Sequence, residues 1–170
     1  VEETVARLLE YPYGCAEQTG SSLLPWILLR EIPTPLLGCG TNEVDSAIRA
    51  GVNRLFSMQT SGGGLAYWPG QRAPMLWASA YGGLVLAQAQ RRGIPLPGED
   101  WTRLLTYLSQ QLRSRSADTA AVLPETALCL YALALANHPE PAYQEGLFAR
   151  RDQLSREDRA LLALAILESA

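Results

Sequence analysis

The sequence predicts an all-α fold, and three observations carry that expectation. Apolar residues recur at three- and four-residue spacings through most of the chain. Clusters of proline and glycine interrupt that pattern at intervals suited to helices of three to five turns. No stretch alternates polar and apolar residues for long enough to make a strand. Antiparallel helix pairs follow, because short connections return the chain beside itself. Periodicity leaves open whether they form an open solenoid or a closed toroid, and no fixed-period repeat is evident.

Val1–Glu10 places Val1, Val5, Leu8 and Leu9 on one face of a short helix, which Tyr11-Pro12-Tyr13-Gly14 ends. A helix over Ala16–Glu31 must accommodate Pro25, which removes a backbone donor. Pro33, Pro35, Gly38 and Gly40 make the next connection a loop. Asn42 is a candidate N-cap for a helix carrying Val44, Ile48, Val52, Leu55 and Phe56. Ser61-Gly62-Gly63-Gly64 stops it, and Gly64–Gly70 reads as a tight turn or small hairpin that Tyr67 and Trp68 anchor onto the helices. Leu76–Arg92 follows, ended by Gly93 and Pro95. Glu99–Arg115 shows a stripe of Trp101, Leu104, Leu105, Leu108 and Leu112. Pro124–Asn137 is apolar all round and therefore buried. A helix over Ala142–Asp152 comes next, and Ser155 caps a last one running to the end.

Composition excludes several functions. The 170 residues are 48% hydrophobic and 18% charged, which suits one domain with a real core and excludes a disordered chain. A net charge of −3 offers no footprint for nucleic acid or an anionic membrane. All 14 basic residues are arginine, as an alanine- and arginine-rich composition would give by codon preference. The longest apolar run, Ala127 to Ala136, is too short to insert into a membrane, and no targeting segment is visible. A chain beginning in mid-helix pattern also fits a domain excised from something larger. Cys15, Cys39 and Cys129 form no zinc or disulfide framework, and neither a metal nor a cofactor is expected. Cys129 reads as a small core hydrophobe, and Cys39 lies in a loop.

The segment Tyr11-Pro12-Tyr13-Gly14-Cys15-Ala16-Glu17-Gln18-Thr19 carries the chemistry. A cysteine and a glutamine three residues apart lie on one side of a first helical turn, so the Cys15 sulfur can reach the Gln18 carbonyl. The positive end of a helix favours the thiolate, the nucleophilic form. Attack with loss of ammonia gives an internal thioester, an electrophile stored in the chain's own side chains. Gly14 and Ala16 leave room for the ring, and Tyr11 and Tyr13 can lie over it. Glu17 reads as an exposed helix-start carboxylate. Spacing alone equally fits a buried cysteine beside a solvated glutamine.

The whole string closely resembles the thioester signature of the alpha-2-macroglobulin and complement family, most of all its bacterial branch. Gly14-Cys15-Ala16-Glu17-Gln18 matches the family's Gly-Cys-x-Glu-Gln at every defined position. Arg54–Gln59, Gly62–Trp68 and Trp77–Tyr81 resemble, more loosely, the next helix pair and its glycine-tryptophan turn. Gln59…Gly64…Trp68 is also similar to the glutamine-tryptophan turns of terpene cyclases, which share the α/α-toroid fold. The resemblance therefore implies all or part of an α/α toroid, with residues 1–170 a thioester domain cut short on its C-terminal side.

It also implies a protease inhibitor with a single-use acylating group rather than an enzyme. A protease cuts a bait segment elsewhere in the full protein, and the Cys15–Gln18 thioester acylates the attacker. Tyr11, Tyr13, Gly14 and Glu17 would shield or position that bond. Implied partners are target proteases and the other macroglobulin domains; the implied location is the periplasm, the full-length protein being a lipoprotein on the inner membrane. Some relatives use a histidine to favour hydroxyl acceptors. Here His138 is the only histidine, placed where a helix ends, so lysine amines are the expected acceptors. Three other readings compete. A Cys15–His138 nucleophile pair lacks support from spacing. A terpene-processing toroid needs clustered aspartates, and Asp45, Asp100, Asp118, Asp152 and Asp158 are isolated. A helical interaction module without chemistry fits everything outside residues 11–19.

Overall fold

The structure, a computed structural model, describes residues 14–30, 40–114 and 123–170. The expected helix Val1–Glu10, Tyr11, Tyr13, Cys39 and Asp118 lie outside the described residues. Seven α-helices are described: α1 (Ala16–Leu29), α2 (Thr41–Phe56), α3 (Leu76–Arg91), α4 (Gly98–Ser114), α5 (Leu123–Leu135), α6 (Pro141–Ala149) and α7 (Arg156–Leu167). The all-α expectation holds: among the described residues the one β interaction is an isolated antiparallel bridge between Gln59 and Leu65.

The helices form two rows. Ala16 and Ala78 share a buried cluster, Gly20 faces Tyr81, and Arg30 donates to the Arg92 carbonyl at 3.3 Å, so α1 and α3 run parallel, start beside start. Leu76 and Leu123 line one pocket and Gly83 faces Ala132, which sets α5 parallel to α3. An Arg91–Glu168 ion pair joins the far ends of α3 and α7. The other helices return between them. Arg30–Asp45 at 2.8 Å and Arg54–Gly14 at 3.3 Å pin α1 and α2 antiparallel. The Gln90–Trp101 bond does the same for α3 and α4, and Gln144 to the Ala165 carbonyl for α6 and α7. Antiparallel pairs are therefore present as expected.

The core follows from this layout. The α3–α5 and α5–α7 contacts are the most extensive, and α5 has nine buried residues among its 13. Leu86, Leu104, Leu108, Leu130 and Leu133 are essentially inaccessible, each stabilising the fold by about 1.5–3 kcal/mol on burial. Cys129 lies among them, with Sγ 3.6 Å from the Leu108 carbonyl oxygen.

Several boundaries differ from expectation. The cap of α2 is Gly40, not Asn42, because the Glu43 carboxylate accepts the Gly40 N–H at 2.8 Å. Helix α1 runs through Pro25 without a break. The segment expected as a helix over Ala142–Asp152 stops at Ala149 and continues as a 3₁₀ turn, Arg151–Gln153, where Leu154 turns into the core. Helix α5 ends because Asn137 adopts a left-handed φ of 60°, letting the His138 N–H reach the Leu133 carbonyl at 2.9 Å. Ser155 caps α7 as expected, accepting the Asp158 N–H at 3.1 Å.

Gly64–Gly70 ends in a tight turn, with the Gln71 N–H on the Trp68 carbonyl at 3.3 Å and Gly70 at φ +80°, while the hairpin forms just before it. Ala66 N–H bonds the Met58 carbonyl and Thr60 N–H the Gly64 carbonyl, both at 2.9 Å, with Gly62 and Gly63 at the tip. Gly63 has φ +89° and packs against the Arg103 carbonyl, an approach any β-carbon would block at 2.6 Å. Gln59 Nε2 fastens the hairpin, donating to the Gly63 and Asp100 carbonyls at 2.8 Å each. Trp68 is 42% exposed and meets the Tyr67 ring edge-on, centroids 6.2 Å apart.

Candidate functional site

The site is the start of α1. Cys15 is the N-cap, extended at φ −66° and ψ 176°, and its side chain is 3% exposed. Gln18, three residues on, closes a reciprocal arrangement. Its carbonyl oxygen Oε1 accepts the Cys15 backbone N–H at 3.1 Å, while its own backbone N–H faces the Cys15 side chain. The glutamine carbonyl is thus held beside the cysteine with a backbone donor on its oxygen. That donor polarises the carbon toward a nucleophile and faces the oxygen on which charge would develop.

Gly14 allows the approach. A β-carbon there would lie 3.0 Å from Gln18 Cβ and 3.3 Å from the Thr19 nitrogen. Its carbonyl is gripped from two helices, by Thr19 Oγ1 at 3.2 Å and Arg54 Nη2 at 3.3 Å. The Arg54 Nε is buried and has no hydrogen-bond partner. Thr19 and Arg54 were not singled out by the sequence, since only the fold brings residue 54 to residue 14.

The 58–66 hairpin supplies the other wall. The Tyr67 carbonyl accepts the Ala16 N–H at 3.0 Å, satisfying a helix-start donor that has no partner within the helix. Met58 and Ala78 bury Ala16 between them, with Trp77 and Tyr67 packed alongside. The Tyr67 hydroxyl donates to Glu17 Oε2 at 2.6 Å. The Glu17 carboxylate, and next the Cys15 side chain, raise the Tyr67 phenol well above its ordinary 10.0, so it keeps its proton. Tyr67 therefore anchors the turn onto the start of α1, as expected, through its carbonyl, its ring and its hydroxyl. Glu17 and Gln18 are exposed, and Gly14 and Cys15 are buried, so the sulfur sits beneath a solvent-facing amide and carboxylate.

The remaining candidates separate. His138 lies past the end of α5, at the opposite end of the row from Cys15, roughly 20 Å away for 13 residues at the helical rise. It meets the last turn through its backbone, and its side chain is exposed. A Cys15–His138 pair is excluded. Among the described residues, no group of three or more His, Cys, Asp or Glu is placed to hold a metal ion.

Comparisons with known proteins give relatives of one kind. No protein-family model matches the chain. The alpha-2-macroglobulin of Escherichia coli strain K12 is 32% identical over 111 residues, which is 61% of this chain and 7% of that protein. The chain is related to the bacterial alpha-2-macroglobulins. That of Ralstonia nicotianae is 31% identical over 106 residues, 58% of this chain and again 7% of the relative. A Salmonella alpha-2-macroglobulin reacted with methylamine superposes with a TM-score of 0.83 at 26% identity, covering 99% of this chain and 12% of that one. The chain thus spans a small part of the macroglobulins it resembles, and its whole described fold is found within one of them.

Proposed function

We propose that this chain is the thioester domain of a bacterial alpha-2-macroglobulin-like protease inhibitor, extending over residues 1–170 and continuing beyond them in the full protein. In this reading Cys15 Sγ attacks Gln18 Cδ, ammonia leaves, and the thioester is spent once on an attacking protease. Gly14 and Glu17 position the bond, and Tyr11 and Tyr13 shield it. The observation that carries the reading is the 3.1 Å bond from the Cys15 N–H to Gln18 Oε1, made within a nine-residue string of the family's signature. Relatives among bacterial macroglobulins support it, one of them solved after reaction with methylamine.

Lysine amines are the proposed acceptors, attacking directly. The chain's single histidine lies at the far end of the helix row, so none of its imidazoles can relay the acyl group to a hydroxyl. Equal uptake of glycerol and methylamine would overturn this. Target proteases and the remaining macroglobulin domains are the proposed partners, and the periplasm, with the full-length protein lipid-anchored at the inner membrane, the proposed location. Among the described residues no helix is long and apolar enough to cross a membrane.

The test is the intact mass of freshly purified protein with and without methylamine, with thiols titrated in parallel. A mass short by one ammonia, and one thiol released as one methylamine is taken up at Gln18, is the expected result. A full mass with Cys15 already titratable and no uptake would favour a helical interaction module.

A further inference from the structure

The Cys15 N–H that meets Gln18 Oε1 at 3.1 Å belongs to the Gly14–Cys15 peptide, a planar unit whose C=O and N–H share delocalised electrons. Both ends of that unit are bonded. On the far end, the Gly14 carbonyl accepts Thr19 Oγ1 at 3.2 Å and Arg54 Nη2 at 3.3 Å. A hydrogen bond to a carbonyl draws electrons from the nitrogen behind it, so the N–H becomes a stronger donor. A guanidinium does this more strongly than a neutral hydroxyl, because it is always charged.

The setting preserves the effect. Gly14 and Cys15 are buried, where such chains of hydrogen bonds are least screened. Arg54 stands in the last turn of α2 and, among the described residues, forms no ion pair. Its Nε is buried and without a hydrogen-bond partner, an arrangement that costs free energy. No carboxylate therefore offsets the charge held against the Gly14 carbonyl.

We propose that Arg54 is a positioning residue for the Cys15–Gln18 acyl transfer, acting through the Gly14–Cys15 peptide to strengthen the N–H that meets Oε1. The proposal rests on the thioester reading of the same site. During formation Cys15 Sγ bonds Gln18 Cδ and the carbonyl electron pair moves onto Oε1. Its return breaks the C–N bond, and ammonia leaves with the thiol proton, passed on by water. During aminolysis the amine nitrogen bonds Cδ, the pair again moves onto Oε1, and its return breaks the C–S bond. The sulfur departs as a thiolate and the surplus amine proton goes to water. In both directions negative charge collects on the atom that the Cys15 N–H already meets. Arg54 reaches that atom only through the peptide.

The experiment uses the 170-residue chain, labelled with nitrogen-15, and its Arg54→Met, Arg54→Lys and Thr19→Val variants, with folding checked by circular dichroism. Two quantities are read. One is the Cys15 amide proton shift before methylamine is added, which moves upfield as that hydrogen bond weakens. The other is the rate of methylamine uptake by intact mass. Arg54→Met should move the proton upfield and slow uptake at least about threefold, short of the roughly hundredfold that loss of a whole oxyanion donor costs. Arg54→Lys restores a charge and should recover most of both. Thr19→Val removes the neutral bond to the same oxygen and should change both less than Arg54→Met. If Arg54→Met does not fold, Arg54→Gln takes its place with the same expectations. A Cys15 proton unmoved in Arg54→Met, a smaller slowing, Arg54→Lys no better than Arg54→Met, or Thr19→Val as damaging would overturn the proposal while leaving the thioester in place. A wild-type chain of full mass taking up no methylamine counts instead against the thioester. The Cys15 proton then decides the role of Arg54: an upfield move in Arg54→Met that Arg54→Lys reverses upholds it, and an unmoved proton refutes it.

Discussion

The carbonyl of Tyr67 closes the helix that begins at Ala16, accepting its N–H at 3.0 Å from a loop far downstream. The cysteine–glutamine pair is therefore built on a helix whose first turn is finished by another part of the chain. The hairpin and the helix start can each be tested, at three places.

Gly63 is the first. Its φ of +89° and the Arg103 carbonyl 2.6 Å from a hypothetical β-carbon make Gly63→Ala both strained and obstructed. Gly70, with φ +80° and open space around it, bears the conformational strain alone. Gly70→Ala should lower stability by about 1–2 kcal/mol, and Gly63→Ala by more, about 3 kcal/mol. Urea denaturation of the two variants checks the order, and a Gly63→Ala midpoint at or above that of Gly70→Ala would contradict it.

Ser79 is the second. It is fully buried on α3, accepts the Leu65 N–H at 2.8 Å and donates to the Met75 carbonyl at 2.7 Å. Ser79→Ala leaves the Leu65 donor without that partner in a dry place, at a cost of about 1–3 kcal/mol. The loss should appear in the denaturation midpoint and as faster exchange of the Leu65 amide.

Gly14 is the third, and here the effect falls on reactivity. A β-carbon 3.0 Å from Gln18 Cβ pushes the amide away from the sulfur by a few tenths of an ångström. On the proposed reading, Gly14→Val should lower the fraction of chains short by one ammonia at least about tenfold, since small displacements of reacting groups are costly. Its thermal midpoint should fall far less than that of Gly63→Ala.

The Arg30–Asp45 pair predicts the pH response of the α1/α2 hairpin. The Arg30 hydrogen bond holds the Asp45 carboxyl below its ordinary 3.8, outweighing a small opposing effect of burial. A depressed carboxylate stabilises the fold above its unfolded value, and that contribution is lost as the pH falls through the folded one. Both groups are about a third exposed, so Asp45→Asn should cost no more than about 1 kcal/mol at neutral pH. The difference from wild type should shrink as the pH falls below 3.8 and vanish once the carboxyl is protonated in the folded state; a penalty persisting at strongly acid pH would point to packing.

The helices were largely legible because their signals are local. Ser155 capping α7, the apolar faces of α2 and α4, and the all-round apolar α5 rest on neighbours within four residues. The misplacements occurred where a non-local or conformational choice intervened. Glu43 moved the α2 cap to Gly40, the left-handed Asn137 set the end of α5, and the glycine tip packing on Arg103 set a hairpin at residues 58–66. In the site, Cys15, Gln18 and Gly14 could be read from a contiguous string that also holds Thr19, whereas the arrival of Arg54 and Tyr67 could not.

By itself, the sequence determined that this protein is helical, which faces of its helices are apolar, and that a cysteine and a glutamine share one turn, because periodicity and i,i+3 spacing act along the chain. Tertiary structure alone decided that the helix starts line up at one end of the row, that His138 is stranded at the other, and that Tyr67 arrives at the start of α1, bonded to Ala16 and Glu17. Those outcomes depend on which helices pack together, and packing answers to the whole apolar surface to be buried, a quantity no single stretch of sequence holds.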